Sequence, residues 1–88
     1  MTDNTPPKIE FPCRYPIKVI GEATIQPAQV VETVRRHAPE VTPDDVSTRQ
    51  SRQKNYISVR INIIATSETQ LQALHQELMQ QPNVKMVL

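Results

Sequence analysis

The sequence predicts an α+β sandwich with the element order β-α-β-β-α-β, and three observations indicate it. Residues 15–22 and 57–63 alternate apolar and polar side chains, which is typical of strands that are buried on one face only. Residues 27–38 and 67–81 instead place apolar side chains three or four positions apart, the spacing of a helix with one buried face. Each helical pattern stands between two strand patterns, so the chain divides into two β-α-β halves.

The first half supplies a strand and a helix. Alternation along 15–22 places Ile17 and Val19 on the core side and Lys18 on the other side. The helix is expected to begin at Pro27, because a proline in the first turn loses no hydrogen bond. Its last turn is basic, which suits the negative end of the helix dipole and accounts for His37 there. Its apolar face comprises Val30, Val31, Val34 and Ala38.

The second half begins with a polar strand over 46–51, which is typical of a sheet edge. The clearest strand of the chain follows, and its core side comprises Ile57, Val59, Ile61 and Ile63. A helix capped by Ser67 presents three leucines to the same core, Leu71, Leu74 and Leu78. Strict alternation in the last strand predicts that Val84, Met86 and Leu88 point inward and that Lys85 and Val87 point outward.

This order of elements is that of the ferredoxin-like fold. Right-handed crossovers place both helices on one side of a four-stranded antiparallel sheet in the strand order 4-1-3-2. The other side of the sheet is left uncovered, and we refer to it as the open face. Residues 1–10, which include Pro6 and Pro7, are expected to form a flexible N-terminal tail, and residues 11–88 a single domain.

Composition argues against several classes of protein. The formal net charge is +1, so no overall field attracts nucleic acid or a membrane surface. No apolar run approaches the ~20 residues of a membrane span, and no basic segment followed by an apolar one opens the chain. The single cysteine, Cys13, excludes an intrachain disulfide. We expect a cytoplasmic protein that does not bind membranes and is a monomer or a weak homodimer.

No group of residues has the spacing of a catalytic, metal-binding or cofactor-binding site. His37 and His75 lie in different predicted helices, and Cys13 has no histidine beside it in the sequence. One glycine cannot build a phosphate-binding loop. Asp44 and Asp45 are adjacent in a turn, where solvation explains them. We therefore expect no enzyme activity and no cofactor.

Four cations are predicted to lie across the open face, one on each strand. In the predicted strand order they form a basic stripe of Lys85, Lys18, Arg60 and Arg49. Such a stripe suits a small anionic ligand or an acidic protein surface. The alternative is a merely solvated face, because exposed charges contribute little to stability.

RNA-recognition domains of this topology stack bases on aromatic side chains of the first and third strands. Here Tyr15 is expected to point into the core, and only Tyr56 points outward. The absence of that aromatic pair argues against nucleic acid as the partner. A nucleic-acid-binding module that uses the basic stripe remains the alternative function.

Four segments, in this order, resemble the YbeD-like family of small bacterial proteins. They are residues 15–21, Arg36-His37-Ala38-Pro39, Lys54-Asn55-Tyr56-Ile57-Ser58-Val59 and Val84-Lys85-Met86-Val87-Leu88, and the likeness extends over residues 11–88. The resemblance implies a ferredoxin-like fold akin to ACT-type regulatory domains, and hence ligand sensing or allosteric regulation. It implies no catalytic residues.

The resemblance to ACT-type domains also marks the turn after the first strand as a candidate ligand site, with Gly21, Glu22 and Thr24. The sequence as a whole therefore predicts a non-enzymatic regulatory or adaptor domain. Such a domain would bind a small ligand or a protein through its open face or through this turn.

Overall fold

The computed structural model of the protein describes residues 10–53 and 55–88. Its elements are β1 (Cys13–Glu22), α1 (Pro27–His37), β2 (Val46–Gln50), β3 (Tyr56–Ala65), α2 (Glu68–Met79) and β4 (Val84–Val87). A short 3-10 helix, Pro43–Asp45, precedes β2. The predicted tail lies outside the described residues except for Glu10, which is exposed.

The four strands form one antiparallel sheet in the order β2-β3-β1-β4, which confirms the predicted fold and strand order. β1 and β3 occupy the centre of the sheet. They pair along their full lengths, from Cys13 opposite Ala65 to Glu22 opposite Tyr56. Both helices pack against the same side of the sheet, so the other side is the open face.

One apolar core lies between the sheet and the two helices. At its centre Ile17 is paired with Ile61 and Val19 with Val59. The helices contribute four side chains that are each at most 1% exposed, Val30, Val34, Leu74 and Leu78. Ile57 and Leu71 are half-buried at the margin of this core, and Tyr15 also packs against it. The predicted inward faces of the two central strands are therefore confirmed.

Thr33 is a polar residue inside this core and is only 1% exposed. Its hydroxyl donates to the backbone carbonyl of Gln29 at 3.0 Å. The same oxygen accepts hydrogen bonds from the side chains of Arg36, at 3.2 Å, and Gln81. Burial of the hydroxyl is thus compensated, and the contact with Gln81 joins α1 to the segment that follows α2.

The central strands extend beyond their predicted bounds at one end of the sheet. β1 begins earlier than predicted, at Cys13, and β3 continues to Ala65. The pairing of β2 with β3 does not extend past Ile61. Farther along β3, the backbone N–H of Ile64 donates to the Glu40 carboxylate at 3.0 Å. A side chain thus supplies the acceptor that a neighbouring strand would otherwise provide.

The last strand departs from strict alternation. Its pairing with β1 changes register at Gly21, where β4 carries a bulge. As a result Val84 and Val87 both pack against the core, whereas Met86 is 48% exposed and Leu88 60% exposed. The prediction that Met86 and Leu88 point inward and Val87 outward is wrong, because a bulge inserts a residue that alternation does not anticipate.

The register of β3 can be tested by truncating side chains on its two faces. Ile61 is fully buried and Ile64 is 38% exposed. We expect Ile61→Ala to lower the free energy of unfolding by about 2–5 kcal/mol, because it leaves a cavity in the core. The control Ile64→Ala should cost less than about 1 kcal/mol. Chemical denaturation measures both values, and equal losses would contradict the register.

Candidate functional site

Two cations stand directly opposite each other at the centre of the open face. Lys18 on β1 and Arg60 on β3 are register partners, and both are exposed. The Cβ atoms of such partners are about 4.5–5.5 Å apart. Within residues 10–53 and 55–88, neither cation forms an ion pair. Like charges in directly opposed positions destabilise a sheet, so folding does not favour this pair.

Arg49, the cation that the sequence places on β2, lies diagonally beside this pair. It is opposite Ser58 on β3, whereas the β2 partner of Arg60 is Ser47. Since Ser58 and Arg60 are two residues apart on one face of a strand, Arg49 is offset from the pair by roughly 7 Å along the strands. It extends the positive region toward the edge of the sheet.

Lys85, the fourth cation of the predicted basic stripe, does not lie in line with the others. Its Nζ is 3.2 Å from Oε1 of Glu22, so it is paired with a carboxylate. The residue beside Lys18 on this side is instead Leu88, which directly follows β4, and the two backbones exchange hydrogen bonds of 3.1 and 2.8 Å. The structure thus brings Lys18 and Arg60 together, places Arg49 near them and separates Lys85 from them.

An apolar strip borders the Lys18–Arg60 pair on the β4 side. It consists of Ile20, Met86 and Leu88. Met86 is opposite Ile20, and Leu88 is opposite Lys18. Alternation along the first strand predicts Ile20 on the open face, whereas strict alternation along the last strand predicts Met86 and Leu88 on the core side. It is the bulge in β4 that turns Met86 and Leu88 outward.

At the turn between β1 and α1, the second predicted site, the protein itself fills the space beside Gly21 and leaves only a cavity of about 80 Å³ next to Thr24. Gly21 is buried, and a Cβ atom built on it would collide with Ile25 Cδ1 and lie 2.8 Å from the carbonyl oxygen of Asn83. That carbonyl accepts the backbone N–H of Glu22 at 2.8 Å. Thr24 is exposed at the tip of the turn. The glycine is therefore required by the close approach of two segments of the chain.

A polar cluster between the two helices was not predicted from the sequence. Nη1 of Arg36, in the last turn of α1, is 3.0 Å from Oε1 of Glu77 on α2, and the His37 ring N–H donates to Oε2. Gln70 donates its side-chain amide to the His37 carbonyl at 2.8 Å, which satisfies a carbonyl at the helix end. The spacing of the leucines in α2 predicts that Glu77 faces water, but the structure shows it half-buried and in contact with α1. The basic last turn of α1 was the one signal of such a contact.

The hydrogen bond from His37 lowers the pKa of Glu77 below its ordinary value of 4.5. Desolvation by the surrounding protein acts in the opposite direction, and the positive charge of Arg36 reinforces the lowering. The carboxylate is therefore charged at neutral pH and links the ends of both helices. Its geometry is that of a structural contact between helices.

Two cavities, of about 500 and 380 Å³, lie along α1 and away from the open face, and a third, of about 240 Å³, lies at one end of that face beside Asn62. A groove of about 380 Å³ runs between α1 and β2, with Val31, Val46 and Thr48 in its lining and Arg35 as the charged residue beside it. In the part of the chain that the structure describes, no three potential metal ligands cluster. Neither helix there has the length and apolarity that crossing a bilayer requires.

Comparison with known proteins identifies the family. A family model described as "Protein of unknown function (DUF493)" matches residues 6–88. The chain belongs to the DUF493 family. The UPF0250 protein of Ectopseudomonas mendocina is 50% identical to it, with both chains covered in full. A UPF0250 protein of Pseudomonas aeruginosa is 48% identical over 98% of this chain and 95% of that one. The resemblance to the YbeD-like family of bacterial proteins is thereby confirmed.

Solved structures share the fold of this DUF493 protein. Protein HP0495 from Helicobacter pylori has a TM-score of 0.74 at 17% identity, with 98% of this chain and 91% of that chain covered. The ACT domain from the GTP pyrophosphokinase of Chlorobium tepidum has a TM-score of 0.62 at 13% identity, with 85% of this chain and 94% of that chain covered. Both likenesses confirm a ferredoxin-like, ACT-like architecture.

Whether the β1–α1 turn is closed can be tested at Gly21. We expect Gly21→Ala to lower the free energy of unfolding by about 1–3 kcal/mol, because the methyl group meets a backbone carbonyl that cannot easily move. Thr24→Ala, at the exposed tip of the same turn, should change it by less than about 0.5 kcal/mol. Thermal and chemical denaturation provide the values. An unchanged stability of Gly21→Ala would mean that the turn has room for a ligand.

The Glu77 contact predicts a dependence of stability on pH. Because its pKa is lower in the folded than in the unfolded chain, its contribution is present above about pH 4.5 and is lost as the pH falls through the folded value. As the pH falls below about 4.5, the wild-type protein should therefore lose stability more steeply than Glu77→Gln. Glu32→Gln, on the exposed face of α1, is the control and should keep the wild-type slope. Parallel slopes for wild type and Glu77→Gln would contradict this role.

Proposed function

We propose that this protein is a non-enzymatic regulatory or adaptor domain of the cytoplasm, which binds a small anionic ligand or an acidic protein partner through its open face. The observation that carries the proposal is the directly opposed pair Lys18 and Arg60. The proposal treats these two residues as the centre of the binding site and Arg49 as a contributor at its margin.

The physical argument concerns what these cations do in the absence of a partner. Directly opposed like charges disfavour the sheet, by up to about 1 kcal/mol. An anionic group placed over the pair removes that repulsion. It also accepts hydrogen bonds from the lysine ammonium and from the guanidinium fork, and such charge-assisted bonds are about twice as strong as neutral ones. Binding thus relieves a cost that the free protein bears.

The other elements of the structure support a binding role. The cluster with a shifted pKa, Glu77 with His37 and Arg36, is engaged in joining two helices rather than in holding a substrate. The fold shared with the ACT domain from a GTP pyrophosphokinase favours regulation by analogy, although a fold by itself does not determine function. The β1–α1 turn is the weaker candidate, because Ile25 and Asn83 fill the space beside Gly21.

Reversing one charge of the pair tests the proposal. Lys18→Glu places opposite charges across the strands, so we expect the free energy of unfolding to stay the same or to rise by about 0.2–1 kcal/mol. Wild-type protein immobilised on a resin should retain its anionic ligand or partner from a Pseudomonas aeruginosa extract, and the Lys18→Glu variant should not. Mass spectrometry under native conditions would detect small anions, and affinity capture would detect proteins.

A matched control is Arg52→Glu, which makes the same change of charge in the exposed β2–β3 loop. It should leave both stability and retention close to those of the wild type. The proposal would be wrong if Lys18→Glu and Arg52→Glu retained the same molecules in the same amounts as the wild-type protein. Loss with both variants would indicate a nonspecific attraction to net positive charge.

A further inference from the structure

We infer that the partner of the open face is an acidic protein segment that carries apolar side chains beside its carboxylates. This inference rests on the proposed function and narrows it from any anion to one class of partner. It is argued from the chemistry of the two regions that share the face, the Lys18–Arg60 pair and the apolar strip of Ile20, Met86 and Leu88.

The two regions are adjacent and form one surface. Leu88 is hydrogen-bonded across the strands to Lys18, and Met86 is opposite Ile20. Ile20 follows Lys18 on the same face of β1, roughly 7 Å along the strand. The four residues thus make a compact block of which one corner is charged and three are apolar. Met86 and Leu88 are 48% and 60% exposed, so apolar area remains to be buried by a partner.

A second copy of this chain is a poor occupant of this surface. Stacking two open faces about a two-fold axis through the Lys18–Arg60 pair would bring these cations against the same pair of the other copy. Four cations would then be desolvated together, and like charges in an interface disfavour association strongly. A two-fold axis through the apolar strip would bury the strip but leave Lys18 and Arg60 without carboxylate partners at the edge of the contact. A partner with carboxylates opposite the cations satisfies both regions.

Small anions and nucleic acids also fit the surface less well. Phosphate groups or a small anion would engage Lys18 and Arg60 but would leave the apolar strip in water. Stacking of bases needs aromatic platforms, and Tyr15 is packed against the core while Tyr56 lies at the far end of β3. An acidic segment with leucine-like side chains neutralises the cations and covers Met86 and Leu88 at the same time.

The experiment uses three probes of defined chemistry and the full chain labelled with ¹⁵N. The probes are a short peptide that alternates glutamate and leucine, a peptide of the same length that alternates glutamate and serine, and oligouridylate. Amide chemical shifts would map where each probe binds and yield its dissociation constant. We expect the glutamate–leucine peptide to perturb the amides of the block and to bind at least about tenfold more tightly than either other probe.

Two pairs of variants separate the contribution of charge to peptide binding from the contribution of apolar contact. Lys18→Gln should weaken binding of the glutamate–leucine peptide by about tenfold, and Arg52→Gln should not. Met86→Thr should weaken it by about fivefold through the loss of buried apolar area. Met79→Thr is the control for that change, since Met79 is 42% exposed at the end of α2.

The outcomes distinguish the inference from the proposed function. Equal binding of the two peptides, with no effect of Met86→Thr, would overturn the inference but leave an anion-binding face. Tighter binding of oligouridylate than of the glutamate–leucine peptide would overturn it in favour of nucleic acid. If Lys18→Gln weakened none of the three probes, the inference and the proposed function would both be wrong.

Discussion

The in-register pairing of β1 with β3 determines both sides of the sheet. Because side chains alternate along a strand, seating Ile17 against Ile61 in the core leaves Lys18 only the position opposite Arg60. A shift by one residue would move every buried side chain of β3 into water. Each such side chain stabilises the fold by about 1.5–3 kcal/mol, whereas a pair of opposed like charges costs at most about 1 kcal/mol. Hydrophobic burial therefore holds the cations together against their repulsion.

The shortest strand, β4, determines which residues surround the Lys18–Arg60 pair. Asn83 has a φ of 70°, a left-handed conformation that asparagine tolerates better than most residues. Its carbonyl accepts the N–H of Glu22, which sets where β4 begins against the end of β1. The bulge that follows lets Val84 and Val87 both pack against the core and turns Met86 outward. The apolar part of the open face thus follows from a local irregularity in backbone pairing.

Sequence patterns predicted what depends on long, regular periodicity and missed what depends on single contacts. The type and order of the elements, the strand order and the inward side of β3 follow from alternation sustained over many residues. The register of β4 does not, because four residues offer too short a pattern and a bulge breaks it. The partnership of His37 with Glu77, forty positions apart, depends on how two helices meet, which periodicity does not specify. Alternation predicts that Lys18 and Arg60 share one face. Only the observed register shows that they are directly opposite each other and that Lys85 is not in line with them.

Lys18 and Gly21, one from each candidate site, lie three residues apart on β1, and only Gly21 has a structural role in the fold. Gly21 has a structural explanation, because Ile25 and the backbone of Asn83 occupy the space where its side chain would be. The charge of Lys18 has none, because the residue directly across the strand is another cation and both are exposed. A residue that folding requires needs no further role, whereas one that folding slightly opposes is a candidate for an interaction outside the folded chain. This contrast is the reason to look for function on the open face rather than in the turn.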